Sequence, residues 1–292
     1  MSRLRSRTYN STSRCTIVRY ALWLVVLGVL LISCGTPDVT RESATSTART
    51  SRDLLYREGH QLYMTGNLDS ARTVLREVLQ LDSTHVEALT DLGMLHYDLA
   101  LAQKPGESKA KILNLREARG YLARAERVGT PDDAVYERLC QISLALDDDR
   151  SFLTYARKSA ERFPFERQYY NLGLAYFGVG DYQNVVKSQK EAIQKFPQSQ
   201  YLGGYYRQLG RAYMKIDRDQ TAQRNLETGL SAIDARFTAE VKEHGSTSDA
   251  ARRLADDRRA ILQLLRQLYQ TYHFDDKLKN VDRLLNEADS RR

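Results

Sequence analysis

The sequence predicts an all-α protein built from about five to six stacked helix-turn-helix repeats. From Asp53 onward apolar residues recur at helical spacing, and the segments typical of β-strands are scarce. Gly59 and Gly93 occupy equivalent positions in two similar segments and lie 34 residues apart. A fixed period of this length indicates a repeat architecture, in which stacked helix pairs bury one continuous core.

The positive charge of the chain is concentrated at its beginning. The 292 residues carry a formal charge of +7, which by itself would suggest nucleic acid or a membrane surface. Residues 1–33, however, contain five arginines and no acidic residue. Removing those five from the 44 basic residues leaves 39 against 37 acidic ones. The rest of the chain is therefore nearly neutral, and we expect no nucleic-acid partner.

An apolar run from Tyr20 to Ile32 follows these arginines. As a helix it would span only about 20 Å, too short for a hydrocarbon core of about 30 Å. A basic start, a short apolar run and small residues after it are typical of a secretory signal. Residues 1–33 are therefore predicted to be a signal peptide, and an uncleaved signal anchor is the alternative.

The signal ends in Leu31-Ile32-Ser33-Cys34, which resembles the lipobox of bacterial lipoproteins. The resemblance implies that cleavage precedes Cys34, that its thiol receives diacylglycerol, and that its amine is then acylated, commonly with palmitate. Gly35 stands where an Asp favours the inner membrane, which implies the periplasmic face of the outer membrane. The inner membrane and the cell surface remain alternatives. Residues 34–52 are rich in Ser and Thr and are predicted to be a disordered tether.

The clearest repeat lies at residues 167–198. Its first helix has a glycine between large residues, and a proline ends the second helix because proline has no backbone donor. This pattern resembles the tetratricopeptide repeat (TPR), which implies an α-α superhelix whose first helices line a concave groove. The matching positions are Tyr169, Leu172, Gly173, Tyr176, Gly180, Asp181, Tyr182, Val185, Ala192 and Pro197.

The pattern extends over residues 53–236 with two departures. An insertion of about thirteen residues around Lys104–Glu107 delays the second helix of the second repeat. In the third repeat Cys140 replaces the glycine, and Phe152 and Ala156 invert the usual small-then-large order, which conserves volume. Residues 237–292 are predicted to form a degenerate repeat and capping helices, and an irregular helical bundle is the alternative to the repeat fold.

A partner is expected to bind along the groove. Tyrosines toward one end, and arginines with Lys215 toward the other, would suit an extended or helical peptide with an acidic end. For each tyrosine, packing between repeats is the alternative. The residues predicted to line the groove from helical geometry are Tyr56, His60, Tyr63, Met94, Tyr97, Gln141, Tyr170, Leu174, Phe177, Arg207, Arg211 and Met214.

Catalytic and metal-binding motifs are missing from the sequence. It contains no C-x-x-C, H-E-x-x-H, Walker A or G-x-G-x-x-G motif, and its five histidines are scattered. We therefore predict no enzyme, no cofactor and no metal site. Asp147-Asp148-Asp149 is interpreted as a solvated turn rather than a cation site, and Cys140 as a buried thiol.

These features together predict a lipid-anchored adaptor of the bacterial cell envelope that binds protein partners. Assembly of an envelope machine, such as a secretin or pilus, a barrel-insertion complex or peptidoglycan enzymes, is the expected setting. The alternative is an accessory ligand-binding protein of a small-molecule transporter, which an enclosed apolar cavity would favour. A catalytic role would require convergent carboxylates or histidines in one cleft.

Overall fold

The computed structural model describes residues 39–104, 108–129 and 132–289, and within these ranges it contains helices and no strand. The leader, Cys34 and residues 35–38 of the tether lie outside the described residues. The chain divides into two compact units, residues 1–57 and 58–292. The described part of the first unit is helical, and Arg52 forms an ion pair with Asp53 there at 2.6 Å.

Twelve helices make up the described ranges, and from α2 onward each contacts the next along the chain. In the second unit α3 also contacts α5, α7 contacts α9, and α9 contacts α11, as stacking of helix pairs requires. The predicted all-α TPR fold is confirmed. The helices are α1 (Val39–Met64), α2 (Leu68–Leu81), α3 (Val86–Leu101), α4 (Ser108–Val128), α5 (Asp133–Ala145), α6 (Asp149–Arg162), α7 (Glu166–Gly178), α8 (Tyr182–Lys195), α9 (Leu202–Lys215), α10 (Asp219–His244), α11 (Asp249–Thr271) and α12 (Asp275–Asp289).

Close contact between a glycine and a leucine joins the two helices of a repeat. A Cβ atom on Gly93 would lie 2.5 Å from Leu122, and one on Gly210 would lie 2.4 Å from Leu226. Both leucines are fully buried. The missing side chain therefore lets the second helix approach closely, which outweighs the helix-propensity cost of glycine, about 1 kcal/mol.

The two helices of the third repeat also pack closely, but the side-chain sizes are exchanged: the residue on the first helix is larger than glycine and the one on the second helix is smaller than leucine. Cys140 takes the place of the glycine, and it is buried in one cluster with Phe152 and Ala156. The small Ala156 stands sixteen residues after Cys140, as Leu226 stands sixteen residues after Gly210. Burial raises the pKa of the Cys140 thiol to about 12. The predicted buried thiol and the predicted volume exchange are both confirmed.

Three predicted boundaries differ from the observed helices. Helix α1 begins at Val39, so residues 39–52 of the predicted disordered tether are helical; between Val39 and Gly59 the sequence has neither glycine nor proline to end a helix. Helix α4 already begins at Ser108, so much of the predicted insertion extends a helix. Helix α10 continues past residue 236, where the repeat region was predicted to end, and stops at Gly245, whose φ is 85°.

Of the three consecutive aspartates, Asp147 and Asp148 lie in the turn between α5 and α6, as predicted, and Asp149 is the first residue of α6. Asp147 has a φ of 53°, and Asp148 caps α6 by accepting a hydrogen bond from the Ser151 amide at 3.0 Å. Hydrogen bonds from Ser151 hold the pKa of the Asp148 carboxyl below its usual value. Across the described ranges, no group of acidic, cysteine or histidine side chains could hold a metal ion. Among the helices that are described, none has the length and apolar character needed to cross a bilayer.

Candidate functional site

The candidate site is the row of side chains that the first helices α1, α3, α5, α7 and α9 were predicted to turn toward the groove, here called the inner face. Near its beginning, His60 Nδ1 lies 2.8 Å from Asp91 Oδ2. The Tyr63 hydroxyl donates a hydrogen bond to Asp98 at 2.7 Å. Burial, with the Asp98 hydrogen bond, raises the pKa of Tyr63. Both contacts join α1 to α3, the first helix of the next repeat.

The next contact joins α3 to α5. The Tyr97 hydroxyl donates to Gln141 Oε1 at 3.0 Å, and the same oxygen accepts from Arg138 Nη1 at 2.7 Å. The Arg138 guanidinium also lies over the Tyr97 ring, 4.1 Å from its centre. Tyr97 is therefore held in place by both its hydroxyl and its ring.

Ion pairs join α5 to α7. Arg167 lies 2.7 Å from Asp133 and 2.6 Å from Glu137, so one guanidinium serves two carboxylates. Gln168, which is buried, donates to the other oxygen of Asp133 at 2.6 Å. The single positive charge of Arg167 is thus shared by two carboxylates in the middle of the row.

Tyr170 forms the centre of the contact between α7 and α9. Its ring packs where a Cβ atom on Gly204 would lie only 2.4 Å away, so a glycine is required at that position. The Tyr170 ring also lies 5.2 Å from the Tyr201 ring. Arg207 Nη2 donates to the Tyr170 hydroxyl at 3.1 Å. Tyr170 is thus surrounded by residues of the fifth repeat.

Arg207 also contacts a helix that comes later in the chain. Its Nη1 atom lies 3.3 Å from the Asp257 carboxylate on α11. Burial raises the pKa of Asp257, although the Arg207 charge opposes that shift. Part of the predicted basic end of the groove is therefore paired within the protein.

Arg211 has a different environment. Its guanidinium lies over the Phe177 ring, 4.1 Å from the centre, and its side chain is exposed. Lys215, one turn further along α9, is also exposed. Within the described part of the chain neither cation has a salt bridge. The Phe177 ring itself is half-buried and also packs against the Tyr182 ring, 5.2 Å away, so the two exposed cations are what remains available at this end of the inner face.

The remaining predicted residues are distributed between the core and the first unit. Met94, Leu174 and Met214 are half-buried and pack against core clusters, so each contributes to helix packing. Tyr56, in the first unit, is half-buried. Eight of the twelve predicted residues, all in the second unit, contact a residue of a neighbouring repeat: His60, Tyr63, Tyr97, Gln141, Tyr170, Phe177, Arg207 and Arg211.

The sequence reasoning missed the partners of these residues. Asp91, Asp98, Arg138 and Asp257 were not singled out, although each contacts a predicted residue. A signal was present in the spacing. His60 and Asp91 are 31 residues apart, Tyr63 and Asp98 are 35 apart, and Tyr170 and Arg207 are 37 apart, each close to one repeat.

Two surface cavities lie away from the inner face. One of about 560 Å³ is lined by Lys279, Asp282, Arg283, Asn286 and Glu287 on α12. The other, of about 220 Å³, lies mainly among charged side chains of α10 and α11. Neither is the enclosed apolar cavity that would favour a small-molecule accessory role.

Comparison with known proteins agrees with the fold. The tetratricopeptide repeat family matches residues 167–195. The fold is similar to that of YrrB, a TPR protein with an unusual peptide-binding site, at 14% identity and a TM-score of 0.50, covering 61% of this chain and 84% of YrrB. It is also similar to MamA at 18% identity and a TM-score of 0.51, covering 66% and 95%. No curated protein matches the sequence. The chain therefore carries a tetratricopeptide repeat at residues 167–195 within an all-α fold of the TPR type.

Proposed function

We propose that this protein is a lipid-anchored TPR adaptor of the bacterial cell envelope, which binds protein segments along its inner face and catalyses no reaction. The TPR fold is suited to protein–protein interaction, and the lipobox-like sequence at Cys34 supports the anchor. An anchored adaptor raises the effective concentration of its partner near the membrane without adding contacts. Assembly of an envelope machine is the setting that we propose for it.

The observation that carries the binding role is the exposed Arg211 guanidinium stacked on Phe177, with Lys215 beside it. Arginine and aromatic side chains are enriched among residues that dominate binding energy, because they offer area and directional hydrogen bonds together. A cation held over a ring is also positioned before binding, which reduces the entropy lost on association. A peptide with acidic residues fits this end of the face.

The paired residues along the rest of the inner face have a complementary role. Arg167 forms ion pairs with Asp133 and Glu137, and Arg207 forms one with Asp257. Breaking such pairs would leave partly buried charges without partners, so a ligand gains little by competing for them. We therefore assign partner selection to Arg211 and Lys215, and repeat-to-repeat positioning to the paired residues.

The test of this assignment is charge reversal at the free cations. We expect Arg211→Glu with Lys215→Glu to weaken binding of the partner, identified by crosslinking in cells, by about tenfold or more. Lys187→Glu with Arg224→Glu is a matched control, because it makes the same charge change at exposed positions of α8 and α10. Both variants should keep their helical circular dichroism. Equal partner binding by the wild type and the Arg211 and Lys215 variant would overturn the assignment.

The anchor has a separate test. Cys34→Ala should abolish incorporation of radiolabelled palmitate and release the protein from membranes, whereas Cys15→Ala should change neither. Persistent palmitate labelling of the Cys34→Ala variant would contradict the lipoprotein proposal. This outcome would leave the assignment of Arg211 and Lys215 unaffected.

A further inference from the structure

One face of α4 is exposed although it carries large aliphatic side chains. Ile112 is 40% exposed and Leu113 is 61% exposed. Lys109 precedes them by one turn and Arg116 follows by one turn, and both cations are exposed. These four residues are spaced i, i+3, i+4 and i+7, so they lie on the same side of the helix. We call them the α4 outer patch.

The patch is not part of the protein core. The core side of α4 is formed by Leu115, Ala118, Leu122 and Ala125, all of which are buried. The patch lies in the first turns of a helix of 21 residues, where the sequence departs from the 34-residue period. The exposed aliphatic residues therefore belong to an addition to the repeat.

The charges around the patch have one dominant sign. Lys109 and Arg116, the two cations of the patch, form no salt bridge among the described residues. Glu117 is the acidic residue beside them on the helix. Gly120 continues the same side of α4 and leaves open space above the backbone. The patch therefore presents two aliphatic side chains between cations, and no side chain projects beside them at Gly120.

We propose that the α4 outer patch docks on an anionic lipid bilayer. Helices that lie in a membrane interface place aliphatic side chains at the acyl boundary and cations at the phosphate level, and this arrangement matches the patch. The patch is small, so its affinity is useful mainly when the chain is already held at a membrane. In that respect alone the inference rests on the proposed anchor. Docking would fix the side of the helix array that faces the bilayer.

A contrasting helix provides the matched control. Helix α8 presents Gln183, Lys187, Lys190 and Gln194 on its outer side, and all four are exposed. No large aliphatic residue of α8 is among the exposed ones within the described chain. Its outer side thus has cations but no exposed aliphatic side chains, so it should be attracted to an anionic bilayer without inserting into it.

The experiment uses the full chain reconstituted in vesicles and a single tryptophan as a probe of depth. In a Trp23→Phe background, Leu113→Trp places the probe in the patch and Gln183→Trp places it on α8. Vesicles contain phosphatidylcholine alone or with phosphatidylglycerol, and brominated lipids quench a tryptophan that reaches the acyl region. We expect quenching and a blue-shifted emission for the Leu113→Trp protein in anionic vesicles and neither for the Gln183→Trp protein.

Charge removal makes the test quantitative. Adding Lys109→Ala and Arg116→Ala to the Leu113→Trp protein should lower the ratio of docked to undocked molecules by about thirtyfold, since each cation near an anionic surface contributes about 1 kcal/mol. Circular dichroism checks that each variant keeps its helices. Absence of quenching, equal quenching in neutral vesicles, or equal quenching of the Gln183→Trp protein would overturn the proposal. All variants keep Cys34 and Arg211, so loss of the anchor would reduce the vesicle-bound fraction of every variant equally. Failure of the docking proposal alone appears among vesicle-bound molecules, as equal quenching of the Leu113→Trp and Gln183→Trp proteins.

Discussion

Arg207 on α9 lies 3.3 Å from Asp257 on α11, so a cation predicted to line the groove forms an ion pair within the protein. Asp257 also packs against the α9 backbone: a Cβ atom on Gly203 would lie 2.7 Å from it. Burial favours the protonated form of Asp257, as its raised pKa indicates, and Arg207 offsets that cost. The pair thereby links the last recognisable repeat to the helices that follow it.

This pair should show energetic coupling. We expect Arg207→Ala and Asp257→Ala to be coupled by roughly 1 kcal/mol in a double-mutant cycle, because each removes the partner of a partly buried charge. The free energy of unfolding from urea titration measures it. Strictly additive effects of the two substitutions would show that the pair contributes nothing to stability.

Two glycines should respond in opposite directions to the same substitution. Gly93→Ala should destabilise the protein by roughly 1–3 kcal/mol, because the added Cβ atom would lie 2.5 Å from buried Leu122. Gly120→Ala should stabilise it by about 0.5–1 kcal/mol, because Gly120 is in the interior of α4 and its Cβ position is open. Thermal unfolding compares the two variants. Similar changes of the same sign would refute the packing described here.

Stability should fall in mild acid because of His96. This residue is buried, its Nδ1 atom lies 3.1 Å from Asn114 Oδ1, and its ring stacks on Tyr121. Burial lowers the pKa of His96, so the folded state resists a proton that the unfolded state accepts. Its stabilising contribution is therefore complete above about pH 6.5 and is lost as the pH falls toward the lower, folded-state pKa.

The matched variant for this prediction is His96→Gln, which cannot be protonated in that range and can still hydrogen-bond to Asn114. Urea midpoints measured at pH 8 and pH 5.5 should differ less for the variant than for the wild type. The other four histidines are common to both proteins. An identical pH dependence in the two proteins would exclude His96 as the cause.

The Cys140 thiol should be unreactive until the protein unfolds. Burial raises its pKa to about 12, so the reactive thiolate is scarce at pH 8. In a Cys15→Ser and Cys34→Ser background, maleimide labelling should be slow in buffer and rapid in denaturing urea. Labelling at the same rate in both solutions would contradict the burial of Cys140.

The sequence predicted the elements that depend on local spacing. Gly59, Gly93, Gly173 and Gly210 identified the first helices, because each removes a side chain that the second helix would contact. The same reasoning placed Cys140 in the core with Phe152 and Ala156. These predictions succeeded because the residues that pack together within one repeat lie within 34 residues of one another in the sequence.

The inner face was predicted only in part, because many of its side chains form contacts with residues of the neighbouring repeat. Helical geometry placed Tyr170 and Arg207 on the same side of their helices, but their contact depends on Gly204 and Asp257. Similarly, the composition of residues 39–52 lacks the apolar stripe that predicts a helix, although nothing in it ends one. The residue that each inner-face side chain contacts, and the residue at which a helix begins, therefore have to be read from the three-dimensional structure.

The length of α10 has a consequence for any attempt to shorten the protein. The helix has 26 residues, and Leu226 and Ile233 belong to the same buried cluster as Ile261, Leu265 and Val281. A chain ending at residue 236 would keep the motif of the fifth repeat and lose the helices that cover it. The C-terminal helices thus cover the apolar side of the fifth repeat. The smallest soluble fragment with an intact fifth repeat should extend at least through α11.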